Sequence, residues 1–425
     1  MSMNSSQVYL LGAGYTHLRR WPKRDHLDLA QEALTTALVD AGLSEGERIN
    51  RVWFGNCGMH HWGQANIRGQ VVCAPLSEKG LLANAPTVIN VEGGCATGSL
   101  AVYGAIGDIL SGRVDIAVAL GVEKTFIAHD PSQILTLFAS GTNLWRAEES
   151  LAFYRQQATD LGLNFQPSPE RISILDIAAL HAQAYLKQHH LSMEDLAHVA
   201  SKSHAYGALN PKAQYQTAMS VSEVMEDHLI LTPFTRSMCA PISDGAAAAI
   251  LISHEALSQL SPEAQARAIP ILACETAGGQ QSHWEREGAT ARAAQAVYRS
   301  AQLTPDQIDL VELHDATAFA ELLHLEELRL CDAGRAASLT RQGETGQEGR
   351  IPVNLSGGLI SKGHPLAASG IAMMAEVAAQ LRGEAGPRQA HPSRGRLEIA
   401  MTHNGGGLLG FQEAAAVVTV FGKPS

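Results

Sequence analysis

Apolar and polar positions along this chain switch between helical and strand-like spacing. In the first half, a helical pattern at 27–41 leads into a strand-like stretch at 51–57. In the second half, a helical pattern at 291–301 leads into a strand-like stretch at 309–315. Regular alternation of helices and strands predicts an α/β protein whose sheets are covered by helices and mostly parallel.

The two halves also share a short motif, which indicates an internal duplication. Asn90-Val-Glu-Gly-Gly-Cys95 is echoed by Asn354-Leu-Ser-Gly-Gly-Leu359, and both motifs precede an Ala-rich stretch. The strand-like stretches are offset by about 258 residues and the motifs by about 264, so the correspondences are collinear. We predict an N-terminal half at 1–265 and a C-terminal half at 266–425. A segment at about 125–235 has no counterpart, and we expect it to be an inserted cap with substrate contacts rather than a surface excursion without a role.

Composition narrows the class of protein. Charged residues are 17% of the 425 residues, below the usual ~25%, which suggests that part of the surface is buried against a partner. The net charge of -11 argues against nucleic acid as the main partner. The longest apolar run, 245–252, is far below the ~18 residues of a membrane span, and the N-terminus has no secretory pattern. We therefore expect a soluble cytoplasmic protein with free thiols.

Cys95 is the first candidate for chemistry. It follows a strand-like stretch at 87–91 and precedes a helix that begins near Ala96. A thiol at a helix N-terminus lies at the positive end of the helix dipole, which lowers its pKa and favours the thiolate. The alternative is a buried structural cysteine.

Three further segments flanked by small residues carry histidines near predicted strand ends. His364 lies between Gly363 and Pro365, which restrict the backbone and suit the ring to a general base. His314 ends a strand-like stretch, and His403 begins the run His-Asn-Gly-Gly-Gly. Because ligands of α/β sheets bind beyond the carboxyl ends of strands, these segments could converge with Cys95. A nucleophile, a base and oriented donors are the requirements of covalent acyl transfer.

Together these motifs resemble the thiolase superfamily, in particular the sterol-carrier-protein type of bacteria and archaea. The resemblance rests on Gly93-Gly-Cys-Ala-Thr-Gly-Ser, Pro241-Ile-Ser-Asp-Gly-Ala, Glu312-Leu-His-Asp-Ala, Ser356-Gly-Gly-Leu-Ile-Ser-Lys-Gly-His-Pro and His403-Asn-Gly-Gly-Gly, in family order. It implies a five-layer α/β/α/β/α core and at least a homodimer. It also implies coenzyme A thioester substrates, no permanently bound cofactor, and Claisen condensation or its reverse in lipid metabolism.

The resemblance also implies roles for individual residues. Cys95 matches the acylated nucleophile, and His364 matches the base that activates it. His314 matches the histidine that, in this branch, replaces an asparagine in holding the enolate oxygen. The backbone N–H groups of Cys95 and Gly405 would form a second oxyanion hole. Residues expected on the substrate side are His204, Tyr215 and Ser356.

The chain departs from the family at the second catalytic cysteine. His403 stands where degradative thiolases have that cysteine, and Ala316 stands where some sterol-carrier members have it. Proton transfer at the substrate α-carbon must therefore use another group, with His403, His314 or a water as candidates. Efficient reversible thiolysis is put in question by this loss.

Other functions fit the sequence less well. A non-catalytic or partner-dependent subunit, working with a small OB-fold and zinc-ribbon protein, is the main alternative. A thiolase-like aldolase is disfavoured by the retained Cys95, since aldol cleavage needs no acyl-enzyme. We expect no metal site, because Cys57, His60, His61 and Cys73 complete no familiar zinc spacing. Acyl chain length and reaction direction stay open.

Overall fold

The computed structural model describes residues 7–46, 48–128 and 130–424. Its strands are β1 Val8–Tyr15, β2 Arg51–Gly55, β3 Thr87–Val91, β4 Ile116–Lys124, β5 Leu229–Leu231, β6 Phe234–Thr235, β7 Asp244–Ser253, β8 Ile269–Gly278, β9 Leu310–Glu312, β10 Ile399–Leu409 and β11 Gln412–Gly422. Its helices are α1 His26–Asp40, α2 Arg68–Glu78, α3 Thr97–Leu110, α4 Ser132–Ala139, α5 Ala147–Leu161, α6 Ser173–His189, α7 Met193–Ala208, α8 Val221–Glu226, α9 His254–Leu257, α10 Pro262–Arg267, α11 Ala289–Ala301, α12 Ala318–Glu327, α13 Ala336–Arg341, α14 Gly358–Lys362 and α15 Leu366–Arg382. Within these ranges, none of the helices is long and apolar enough to cross a membrane.

The strand order confirms the duplication. Within the described residues, nine strands join into one sheet in the order β3-β2-β4-β7-β1-β8-β11-β10-β9. Read outwards from the centre, β1-β7-β4-β2 matches β8-β11-β10-β9 in the sense of every pairing. Val353 forms a parallel bridge to Val311 of β9, as β3 pairs with β2 in the other half. The half-sheets meet where Val8–Leu10 pairs with Ile269–Ile271.

Helices lie outside and between these half-sheets. α1 and α2 pack on the outer face of the first half-sheet. α3 and α15 share one core with the inner faces of both half-sheets. α11 and α12 cover the outer face of the second half-sheet. The result is the five-layer α/β/α/β/α arrangement that the resemblance implies.

Small residues let the central layer close tightly. A Cβ on Gly98 of α3 would lie 2.4 Å from the carbonyl oxygen of Ala367 in α15, and one on Gly121 of β4 would lie 2.0 Å from the same oxygen. The N-terminal ends of α3 and α15 therefore lie against each other. Cys95 precedes α3 and His364 precedes α15, so the packing of this layer brings thiol and imidazole together.

The expectation of mostly parallel sheets is wrong. β7 runs antiparallel to both β1 and β4, and β11 runs antiparallel to both β8 and β10. Parallel pairing is confined, within the described sheet, to β2 with β3 and β4 and to β9 with β10. The reason is that each half places a long returning strand between its first strand and its parallel strands.

The segment at 125–235 folds mainly into helices. α7 packs against α12, α13 and α14 of the second half, so this segment is joined to the core rather than detached from it. α4 and α6 contact each other above the region of Cys95. The boundaries at 265 and 266 between the predicted halves stay a prediction.

Candidate active site

Cys95 lies in a short 3-10 turn, Gly94–Ala96, between β3 and α3. The turn is pressed against the glycine run of β10, since a Cβ on Gly406 would lie 2.1 Å from the carbonyl oxygen of Gly93. A Cβ on Gly94, whose φ is +57°, would lie 2.9 Å from the backbone nitrogen of Gly407. The structure thus brings the predicted nucleophile and the predicted oxyanion-hole segment into contact.

The thiol of Cys95 is not activated in the way that we expected. Burial, followed by the carboxylates of Glu413 and Glu123, raises its pKa to about 12. Its neighbours include the apolar side chains of Leu137, Phe138 and Leu366. The predicted lowering of this pKa is therefore wrong, because the apolar surroundings and the carboxylates outweigh the helix end. The sulfur rests as a thiol and needs a base to ionise.

His364 is placed to be that base. Sγ of Cys95 and one ring nitrogen each of His364 and His314 lie within 4.8 Å of one another. Nδ1 of His364 lies 2.8 Å from Oγ of Ser369, and that hydroxyl donates to the carbonyl oxygen of Pro365. Because the Ser369 proton is already committed, Nδ1 carries the imidazole proton and Nε2 keeps a lone pair. Nε2 has no hydrogen-bond partner among the described residues.

The backbone around His364 fixes the direction of its ring, as the sequence predicts. Gly363 has a φ of +110°, which an L side chain rarely adopts, and a Cβ there would lie 2.7 Å from Oγ of Ser243. The same hydroxyl accepts a hydrogen bond from the backbone N–H of His364 at 3.0 Å. Burial, with smaller contributions from His314 and Lys362, holds the pKa of His364 well below its usual range. The imidazole is therefore neutral at pH 7 and able to accept a proton.

His314 is the second imidazole near the sulfur, with its ring centroid 5.2 Å from that of His364. Its Nδ1 is 3.3 Å from Oε1 of Glu413, a residue of β11. Its Nε2 has no hydrogen-bond partner among the described residues. With Nδ1 turned towards Glu413, Nε2 is the nitrogen left for the sulfur side.

Glu413 collects four donors on one buried carboxylate, which we call the Glu413 cluster. Besides His314, the cluster contains Nε2 of His324 at 3.4 Å, Nε2 of His403 at 3.3 Å and the hydroxyl of Thr290, which donates at 2.5 Å. Burial would raise the pKa of Glu413, but His324 and His403 hold it well below its usual range. The carboxylate is thus ionised and acts only as an acceptor.

His324 supplies the positive charge of the cluster. Burial alone would lower its pKa, but the carboxylates of Glu413 and Glu327 raise it to about 10. Nδ1 of His324 lies 3.3 Å from Oε2 of Glu327, so both ring nitrogens face a carboxylate. Sequence reasoning missed Glu413, His324 and Thr290. The available signal was a glutamate near the start of the mostly apolar β11, close in the hairpin to the glycine run of β10.

Two cavities meet at Cys95. The first holds about 1230 Å³ of empty space, open solvent at its mouth included, and is largely apolar. Cys95, His314 and His364 line it together with side chains of the inserted segment and of the second half, namely Phe138, Ile174, Leu175, Ala178, His181, Phe319, Leu323 and Phe411. The second cavity holds about 1400 Å³ in the same sense. Its lining includes Cys95, and its more polar members include His60, Arg68, Glu92 and Asn143.

Two of the predicted catalytic positions lie just behind this surface. Among the described residues that line the two cavities, Gly406 and Gly407 are present but His403 and Gly405 are not. His403 is fully buried, and its Nε2 is held by Thr290 at 2.9 Å. Burial lowers the pKa of His403 to about 4. Gly405 leaves room for Glu413, because a Cβ there would lie 1.5 Å from Oε1.

The run His403–Gly407 also differs from its expected setting. We expected it to follow a strand, but β10 continues through it to Leu409. Gly405 and Gly406 pair with Ala416 and Ala415 of β11, so the strand pairing runs through the glycine run.

The three residues predicted on the substrate side do not reach either cavity within the described residues. Nε2 of His204 lies 3.0 Å from the carbonyl oxygen of Ser237. Tyr215 holds Ser361 through its backbone. Ser356 is fully buried and donates to Glu312 at 2.5 Å while accepting from Lys362 at 2.7 Å. Their contacts join secondary-structure elements, and the substrate-side assignment stays a prediction.

Two groups of side chains have donor atoms close enough together to hold a metal ion. One is Cys95, His314 and His364, and the other is His314, His324 and Glu413, with donor atoms within 4.8 Å of one another in each set. The set considered from the sequence, Cys57 with His60, His61 and Cys73, is not brought together in the described part of the chain. In the Glu413 set, the carboxylate is already paired with ring nitrogens.

Comparisons with known proteins agree with this geometry. A family model described as Thiolase, N-terminal domain matches residues 16–226, and one described as Thiolase C-terminal domain-like matches residues 275–422. The acetyl-CoA acetyltransferase of Methanothermobacter thermautotrophicus is 33% identical over 401 residues, 93% of this chain and 94% of that protein. Human sterol carrier protein 2 is 32% identical over 431 residues, 96% of this chain and 73% of that protein. The Ltp2-ChsH2(DUF35) aldolase structure has a TM-score of 0.75 at 20% identity, with 98% of each chain covered, which shows a shared fold.

Proposed function

The chain belongs to the thiolase family and is an acyltransferase enzyme of the thiolase type, and from that premise we propose how its site works. It forms or cleaves a carbon-carbon bond next to a coenzyme A thioester through an acyl group carried on Cys95. The observation that carries this proposal is the approach of the Cys95 sulfur to nitrogens of His364 and His314 within 4.8 Å.

Acylation begins with a proton transfer from Cys95 to His364. Nε2 of His364 takes the S–H proton while the sulfur attacks the thioester carbonyl carbon. The bond from that carbon to the sulfur of coenzyme A breaks, and the leaving thiolate takes the proton back from the His364 imidazolium. A thiol whose pKa is raised to about 12 needs this base, and a buried neutral imidazole supplies it.

We assign a different part of the substrate to each of the two cavities. The largely apolar first cavity would hold the acyl group, because it has few polar groups to satisfy. The second cavity, whose lining includes Arg68 and Asn143, would admit the pantetheine arm. The inserted segment supplies much of the apolar lining, so it would set acyl chain selectivity.

We further propose that the enzyme works as a homodimer. β3 is an edge strand whose pairing within the chain is to β2, and such an edge can pair with a second copy. Tyr103 and Leu110, on the neighbouring α3, are 42% and 53% exposed. Sedimentation equilibrium should give twice the chain mass, and a monomer at micromolar concentration would contradict this.

A small partner protein with an OB fold and a zinc ribbon is a second proposal about assembly. One structural neighbour, the Ltp2-ChsH2(DUF35) aldolase, carries a second component in its name. Trp145 is 99% exposed two residues after Asn143, which lines the second cavity. Co-purification of such a protein with the wild-type chain, lost in Trp145→Ala, would support this placement. We also propose a reducing, cytoplasmic setting, in which the six thiols stay free.

The proposed function is tested by trapping the acyl-enzyme. The purified chain, incubated with acetyl-CoA, hexanoyl-CoA or phenylacetyl-CoA, should gain the mass of the acyl group on Cys95. Cys95→Ala should show no added mass and lose turnover by about 10⁴-fold or more. Unchanged turnover in Cys95→Ala, or no acyl mass with any thioester of this panel, would overturn the proposal.

A further inference from the structure

Carbon-carbon bond formation needs a second proton acceptor, and the family's usual cysteine is missing. Ala316 lines the first cavity but offers no titratable group. His403 is fully buried, with Nε2 3.3 Å from Oε2 of Glu413, and is not among the described residues that line the cavities. His314 lines the first cavity and approaches the sulfur. The placement of these residues therefore favours His314 over His403.

The hydrogen bond to Glu413 determines which nitrogen of His314 carries the proton. An ionised carboxylate can only accept, so Nδ1 of His314 must be the donor across the 3.3 Å contact. In a neutral imidazole the other nitrogen then holds a lone pair. Nε2 has no hydrogen-bond partner among the described residues and is left for the substrate side. An imidazole whose single proton is on Nδ1 cannot donate from Nε2 to an enolate oxygen, which is the role implied by the resemblance.

The rest of the Glu413 cluster keeps that carboxylate in place. The Thr290 hydroxyl donates to Oε2, and Nε2 of His403 lies 3.3 Å from the same oxygen. His324 lies 3.4 Å from Oε1, on the side opposite to its contact with Glu327. A positive His324 next to Glu413 opposes protonation of the carboxylate, so the acceptor for His314 persists at neutral pH.

We propose that His314 and Glu413 form the proton-transfer pair that replaces the missing second cysteine, with His314 as the catalytic base and Glu413 as the residue that positions it. This inference rests on the proposed function. It differs from the family-derived role, because it makes His314 a proton acceptor in the resting enzyme.

The step balances without a further reactant. Nε2 of His314 takes a proton from the α-carbon of a second acyl thioester, and the electron pair of that C–H bond attacks the acyl carbon on Cys95. The bond from this carbon to Sγ breaks, and the sulfur leaves with the electron pair. The proton on His314 then passes to Sγ, which lies within 4.8 Å of a nitrogen of His314. The products are a 3-ketoacyl thioester and the free thiol of Cys95.

The test separates α-carbon proton exchange from acyl loading. Wild-type enzyme, His314→Asn, Glu413→Gln and the exposed control His391→Asn are incubated in D₂O with acetyl-CoA, hexanoyl-CoA and phenylacetyl-CoA. Deuterium at the α-carbon is followed by mass spectrometry, and acyl mass on Cys95 is followed in parallel. Asparagine is the informative replacement, because it keeps a side-chain N–H donor but cannot accept the proton.

We expect His314→Asn to lose about 10²- to 10⁴-fold in exchange rate, and to lose far less in loading. Glu413→Gln should show the same pattern with a smaller loss, which a purely structural effect on both steps would not produce. Exchange at the wild-type rate in His314→Asn, or no exchange in wild-type enzyme with any of these thioesters, would overturn the inference. Exchange that depends on His314 without acyl mass on Cys95 would support the inference while overturning the proposed function.

Discussion

The two histidines beside Cys95 are held by chemically different groups. On one side, Ser369 fixes the tautomer of His364 with a hydroxyl and brings no charge. On the other side, Glu413 fixes the tautomer of His314 with a carboxylate that also binds a protonated His324. A hydroxyl leaves burial free to keep His364 neutral, whereas a carboxylate also stabilises the imidazolium that His314 becomes after taking a proton. The difference suggests one base for the S–H proton and another for the more weakly acidic C–H proton.

The largest effect should come from a substitution of His364, the histidine that is held by the uncharged Ser369. His364→Asn removes the acceptor for a thiol proton that is held at a pKa of about 12, so the rate of acyl loading should fall by about 10²- to 10⁴-fold. A time course of acyl mass on Cys95 measures this rate, with His391→Asn as the control. Loading at the wild-type rate would show that another group activates the sulfur.

The positive charge of His324 in the Glu413 cluster should make the free energy of unfolding depend on pH. The pKa of His324 is raised to about 10 in the folded chain, against about 6.5 in the unfolded chain. Between these two pH values the folded chain binds a proton that the unfolded chain has lost. Its contribution is complete below pH 6.5 and is lost as pH rises towards 10, with a slope of up to about 1.4 kcal/mol per pH unit. The groups that face His324 are Glu413, Glu327, His314 and His403, and His181 lies close enough to be affected by its charge.

His324→Asn should therefore flatten the decline of unfolding free energy between pH 7 and pH 9, measured by urea denaturation. The control His391→Asn should keep the wild-type slope. Equal slopes in wild type and His324→Asn would mean that His324 is not charged in the folded chain.

A substitution at Gly405 tests the packing of the Glu413 cluster, because it adds a methyl group without removing any polar atom. In Gly405→Ala the new Cβ meets Glu413, so displacement of the carboxylate should cost about 1–3 kcal/mol of unfolding free energy. Gly278→Ala is the matched control, because Gly278 ends β8 with nothing within 4 Å of its Cβ position. The free energy of unfolding of that variant should stay within about 0.5 kcal/mol of wild type. A Gly405→Ala protein as stable as wild type would remove the packing constraint from our account.

The smallest effect should come from Ser369→Ala. Loss of one neutral hydrogen bond, about 0.5–1.5 kcal/mol, frees the tautomer of His364 but leaves its burial unchanged. Loading should slow by about two- to tenfold, with little change in α-carbon exchange. A loss as large as that of His364→Asn would mean that Ser369 does more than orient the ring.

Much of this arrangement could be predicted from local sequence. The predicted strand at 87–91 has the same bounds as β3, Thr87–Val91. The predicted helix at 27–41 corresponds to α1, His26–Asp40. Cys95 and His364 follow from their glycine-flanked turns, and the central helices with their small residues bring those turns together. Local patterns carry this information because strand, turn and helix are adjacent in the chain.

The Glu413 cluster could not be found in that way. Glu413 is 99 residues from His314 and 123 from Thr290, so their contacts depend on the register of β11 against β10. The pKa of Cys95 was mispredicted for the same reason, since part of its rise comes from Glu413 across the fold. Pattern reasoning identified the glycine run at 405–407 but could not show that Gly405 makes room for a carboxylate.

The most direct test crosses the two histidines with the two steps. Acyl loading of Cys95 and α-carbon deuterium exchange are measured in His364→Asn and in His314→Asn under identical conditions. We predict that His364→Asn loses more loading than exchange and that His314→Asn loses more exchange than loading. Equal losses of both steps in both variants would contradict the division of work between the two imidazoles.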